Sequence, residues 1–83
     1  SDMNEEYVFV ARYAHRHGTD VRVFRKKEGA VEWANDIART YWNDYYPDVP
    51  TPKKDIGFEY FKGMSEFHEA EYFEIEQQVI EEA

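Results

Sequence analysis

The sequence predicts an α+β domain in the order ββααβ, a small antiparallel sheet with two helices packed on one face. Residues 7–13 set β-branched and aromatic side chains at period two, residues 21–25 read as a second strand, and residues 27–46 carry apolar positions at helical spacing. The third observation is length: 83 residues make one domain with one core. Both kinds of element must therefore share that core.

In the first segment Tyr7, Phe9, Ala11 and Tyr13 point one way and Val8, Val10 and Arg12 the other, as in a half-buried strand. Val21–Arg25 reads as a second strand. Between them lies His15-Arg16-His17-Gly18-Thr19-Asp20. Gly18 can take the positive φ of a tight connection, and Asp20 can close the turn through its own backbone. The expected hairpin joins Glu6–Ala14 to Asp20–Lys26.

Lys27–Tyr46 reads as the first helix. Ala30, Ala34, Ile37, Ala38, Tyr41 and Tyr45 form its stripe, flanked by Trp33 and Trp42, while Glu32, Asp36, Arg39, Asn43 and Asp44 face away. Pro47 ends it, because the residue before a proline is pushed out of the helical region. Thr51-Pro52 has the form of a hydroxyl N-cap followed by proline at the first helical position. A second helix is expected over Pro52–Gly63, with Ile56, Tyr60, Phe61, Met64 and Phe67 on one side. Gly57 and Gly63 each weaken it by roughly 1 kcal/mol relative to alanine. The C-terminal segment is ambiguous. As a helix it aligns Tyr72, Ile75, Val79 and Ala83, with Glu69 and Glu76 intruding; as a strand, Phe73, Ile75 and Val79 alternate with Tyr72, Glu74 and Glu76. We read a strand, Tyr72–Ile80, paired to the hairpin with its acids opposite Arg12, Arg22 or Arg25.

The chain has no cysteine, which removes disulfides and thiolate metal sites and fits a reducing compartment. Seven Tyr, six Phe and two Trp supply apolar area to a small core instead. No stretch reads as a membrane span and no signal-peptide pattern opens the sequence, so a cytoplasmic location is expected. Ser1-Asp2 ahead of Met3 reads as a remnant of expression, leaving 4–83 as a single domain.

Formal net charge is −8, unevenly spread. Arg12, Arg16, Arg22, Arg25, Lys26 and Lys27 cluster early with only Asp20 among them, and no Lys or Arg follows Lys62. If the two regions lie on different faces, the molecule is an electrical dipole. The basic group Arg12, Arg22, Arg25, Lys26 and Lys27, with Phe24 inside it, has the chemistry of phosphate and base contact. The global charge opposes that use. The acidic group is Glu66, Glu69, Glu71, Glu74 and Glu76. On a strand Glu74 and Glu76 would share a face ~6.6 Å apart, comparable with the ~7 Å between phosphates along one nucleic-acid strand. Such a surface could dock on a protein whose basic groove normally holds DNA or RNA. Trp42, Tyr45 and Tyr46 are of the residue types that anchor interfaces. Exposed, these aromatics would also permit a homodimer.

His15 and His17 with Asp20 form a possible metal-ligand group, with His68 as a remote further ligand, but without the spacing of readable zinc sites. No catalytic motif is recognisable. There is no Cys nucleophile, Ser65 three residues before His68 makes no triad, and Gly-rich phosphate loops are absent. Neither an enzyme nor a cofactor is expected.

The segment Tyr13-Ala14-His15-Arg16-His17-Gly18-Thr19-Asp20-Val21 resembles the hairpin of small acidic phage and bacterial proteins that often end in a stretch like Tyr72-Phe73-Glu74-Ile75-Glu76. The resemblance covers a third of the chain. It implies no activity and transfers no binding residues. It points toward a phage-encoded modulator, of the kind that includes anti-CRISPR proteins, acting by binding. The leading expectation is thus a non-catalytic interaction module, in its sharpest form an inhibitor that occupies a host nuclease or other nucleic-acid-binding protein through an acidic surface. Nucleic-acid binding by the basic hairpin and metal binding at His15 and His17 are the alternatives.

Overall fold

The computed structural model describes residues 6–68 and 70–82. Residues 1–3, read above as a remnant and start, fall outside that range, as do Glu69 and Ala83. The chain runs β1 (Tyr7–His15), β2 (Gly18–Phe24), α1 (Lys27–Tyr45), α2 (Ile56–Gly63), a π-helical turn (Met64–His68) and β3 (Tyr72–Val79). The expected α+β class and ββααβ order are those of the structure. The C-terminal segment is a strand.

β1 is the central strand of the order β2-β1-β3, antiparallel to both neighbours. Ala11 stands opposite Arg22 on one side and Ile75 on the other, and Tyr13 opposite Asp20 and Phe73. Residues paired in this way share a face. The face bearing Phe9, Ala11, Tyr13, Phe24, Phe73 and Ile75 meets the helices; Val10, Arg12, Val21 and Val23 lie on the other. The hairpin is tighter than expected. His15 pairs with Gly18, so Arg16 and His17 alone form the turn, and Gly18 takes a φ of 133°. Asp20 bonds the His15 ring instead of closing the turn on its own backbone.

The core joins Ala11 and Tyr13 of β1 to Ala30, Trp33, Ile37, Ala38 and Trp42 of α1 and to Ile56, Tyr60 and Met64. Trp33 lies under the sheet, its ring 5.3 Å from Phe73, 6.3 Å from Tyr13 and 6.2 Å from Phe24. The buried stripe of α1 is therefore centred on the two tryptophans, and Tyr41 is exposed. Trp42 Nε1 donates to the Val49 carbonyl at 2.9 Å, which ties the connector to the helix and satisfies the one polar atom of that ring.

The second helix starts at Ile56 rather than Pro52. Its N-cap is Asp55, in the left-handed region at φ 54°, and no side chain of its own segment caps it. The cap comes from α1: Asn35 Oδ1 accepts the Gly57 N–H at 2.8 Å. A Cβ on Gly57 would stand 2.9 Å from the Ala34 carbonyl carbon, so glycine is what lets the helices approach. A free N-terminal N–H satisfied across a helix–helix contact leaves no sequence signature, and this is why Thr51-Pro52 misleads. Beyond Gly63 the wider π turn changes the phase of the stripe. Met64 stays buried, but Phe67 is 74% exposed rather than inward.

Candidate functional site

The residues expected to bind a partner do not form one surface. Trp42 is a core residue. Tyr45 and Tyr46 are partly buried against Tyr60, at ring separations of 6.1 and 5.9 Å, and Tyr46 donates its hydroxyl to the Tyr60 carbonyl at 2.9 Å. Glu71, only 8% exposed, is an internal acceptor. Its Oε1 takes hydrogen bonds from Tyr13 at 2.9 Å and Tyr60 at 2.8 Å. Burial and the adjacent Glu71 carboxylate raise both phenols above their ordinary range, so they remain donors. Glu76 is paired with Arg12 at 2.9 Å, and that bond, helped by Gln78, lowers its carboxyl below the ordinary value. Glu74 stands opposite Arg12 on the open sheet face, while Glu66 is on the π turn at the helical side. Glu69 lies outside the described residues.

The basic group is divided in the same way. Arg12 is on the open face with Glu76. Arg22 turns to the helical side, its guanidinium 4.5 Å from the centre of the Trp33 ring. Arg25 and Lys26 are exposed beyond the end of β2, and Lys27 opens α1. Because β3 pairs with β1, Arg22 and Arg25 do not face the acids of β3; only Arg12 does.

At the hairpin tip the imidazoles are already engaged. His15 Nδ1 accepts the His17 backbone N–H at 3.3 Å, which leaves Nε2 to donate to Asp20 Oδ2 at 3.1 Å. His17 Nε2 accepts from Arg16 Nε at 3.2 Å. These bonds engage three of the four ring nitrogens of His15 and His17. No group of three or more His, Cys, Asp or Glu suited to a metal occurs among the described residues. His68 packs edge-on against Tyr45 and Tyr46, at 5.3 and 5.5 Å.

What the fold does assemble is an apolar groove of about 600 Å³ between α1, α2 and β3. Lys27, Val31, Ala34 and Asn35 are one face of α1, Phe58 and Phe61 come from α2, and Phe73 and Ile75 of β3 complete the lining. Phe58 is 67% exposed and Val31 40%. Lys27, Lys62, Ser65 and Glu66 add polar groups to the lining. The contact of Gly57 with Ala34 and Asn35 fixes the spacing of the two helices. Asn35 is committed to capping, and the lining holds no nucleophile paired with a base. The groove can take up an apolar group. Of its lining, Lys27 and Glu66 were singled out above, for the basic and the acidic group, whereas Val31 and Phe58 were not. The available signal was that Val31 and Phe58 are apolar yet fall off the buried stripe of their helices.

No family model, curated protein or solved structure matches this chain. Among the described residues, no helix is long and apolar enough to cross a membrane.

Proposed function

We propose that this protein is a small non-catalytic interaction module that receives an apolar side chain of a partner protein in the α1–α2–β3 groove. The observation that carries the reading is Phe58, 67% exposed beside a groove of about 600 Å³. A large exposed aromatic lining an apolar concavity supports a binding role. The narrower reading, an inhibitor displaying an acidic imitation of nucleic acid, draws less support. It would use Glu66, Glu69, Glu71, Glu74 and Glu76 together, whereas Glu71 serves the interior, Glu76 holds Arg12, and Glu66 and Glu74 lie on opposite sides of the sheet.

Selection from a random peptide library against the folded protein tests the proposal. Groove ligands should carry an aromatic or aliphatic anchor, lose binding to Phe58→Glu, and bind almost equally at low and high salt. Ligands that ignore Phe58→Glu but fail against Glu74→Gln or at high salt would overturn the groove in favour of the acidic surface.

A further inference from the structure

A second cavity, of about 480 Å³, lies between the hairpin tip and the C-terminal end of α1. We propose that it binds an organic cation, an alkylammonium or alkylguanidinium group, on the carboxylate of Glu71. Glu71 is more than nine-tenths buried and lines this cavity. Its Oε1 is held by the hydroxyls of Tyr13 and Tyr60, while Oε2 receives no hydrogen bond from any described residue. No buried side-chain oxygen of the described residues lacks a partner, so Oε2, which has none, keeps accessible area, and Glu71 lines the cavity. A carboxylate fixed by two donors on one oxygen offers the other at a set position, which lowers the ordering cost for a ligand.

The surroundings favour positive charge. Tyr13, Tyr41 and Tyr45 supply aromatic walls. Asp44 adds a carboxylate, as does Asp20, whose Oδ2 holds the His15 ring. The last turn of α1 contains no basic residue, so the negative end of its dipole is not offset there. Arg16 is the opposing charge; its Nε is turned onto His17 at the tip. The site is separate from the groove of the preceding section: the two share no lining residue.

The probes are n-butylammonium and n-butylguanidinium, with n-butanol and n-butyrate as controls, followed through backbone amide NMR signals of Tyr13, Tyr45 and Glu71. Millimolar binding by the cations is expected for ligands of this size, with neither control moving those signals. Glu71→Gln, its fold checked in the same spectra, should weaken binding about tenfold or more by removing the charge-assisted contact. Arg16→Ala should tighten it roughly two- to threefold by removing the competing charge. Equal shifts with n-butanol, or unchanged cation binding by folded Glu71→Gln, would overturn the assignment. A terminally blocked peptide with a single arginine decides the source. Binding at least as tight as the free cation assigns the site to a partner's side chain; exclusion of the peptide while the small cation binds assigns it to a free cation.

Discussion

Replacing Glu71 with alanine leaves two phenolic hydroxyls without an acceptor in the least accessible part of the molecule. Tyr60 is 0% exposed, and both bonds end on the same oxygen, at 2.8 and 2.9 Å. An orphaned buried donor costs about 1–3 kcal/mol, and both are orphaned at once. Allowing partial overlap, Glu71→Ala should lose about 2–5 kcal/mol. A chain of 83 residues has a total stability of roughly 4–12 kcal/mol, from about 0.05–0.15 kcal/mol per residue. The variant thus stands near the edge of folding. Glu71→Gln keeps an oxygen at the same place and loses only the charge assistance, so about 1–2 kcal/mol is expected. Urea unfolding followed by fluorescence of the buried Trp33 and Trp42 measures each loss. The decisive comparison places Glu71→Ala in a Tyr13→Phe/Tyr60→Phe background. With no hydroxyls to orphan, its cost should fall below about 1.5 kcal/mol. An unchanged cost in that background would refute the reasoning and assign Glu71 to packing alone.

The same two phenols set an alkaline limit. Their folded values lie above the unfolded value of about 10, so the stability they contribute is complete below pH ~10 and is lost as pH rises beyond it. Two groups give a fall of about 3 kcal/mol per pH unit there. Phenolate absorbance should show these tyrosines ionising only with unfolding; ionisation of all tyrosines in the folded protein near the ordinary value contradicts it. Gly57→Ala gains roughly 1 kcal/mol in helix propensity, yet its Cβ would meet Asn35 Oδ1 at 2.8 Å and the backbone of Ala34. A net loss of about 1–3 kcal/mol is expected in urea unfolding, and a gain would show that the helices can separate freely. For the exposed Arg12–Glu76 pair, the lowered Glu76 carboxyl means that any contribution is present above the carboxylate range and lost as pH falls through the folded value. Carboxyl NMR titration should find Glu76 shifted upward in Arg12→Ala, though not fully, because Gln78 still bonds it.

Local pattern made β1, β2 and α1 legible, with boundaries within a residue or two, because alternation and helical spacing report directly which side of an element meets the core. It also selected a strand over a helix for Tyr72–Val79, where Phe73 and Ile75 alternate with acids. The start of α2 was misread for a definite reason: Asn35 lies 22 residues from the Gly57 N–H that it caps. Phe67 was placed inward because the helical period was carried through a π turn that changes it.

The sites depended still more on distance. The tail acids read as one display along the chain, but Glu71 comes within hydrogen-bond reach of hydroxyls 58 and 11 residues away, and Glu76 meets an arginine 64 residues away. Which carboxylate is spent inside and which faces water depends on strand order, since β3 beside β1 gives Arg12 a partner and leaves Arg22 to Trp33. Composition and periodicity thus established an aromatic-rich α+β domain of ββααβ order, because burial of apolar side chains is written residue by residue. The groove, the internal acid and the cavity at the hairpin tip arose only with the packing, because each is a meeting of groups from separate elements and no local pattern encodes where they converge.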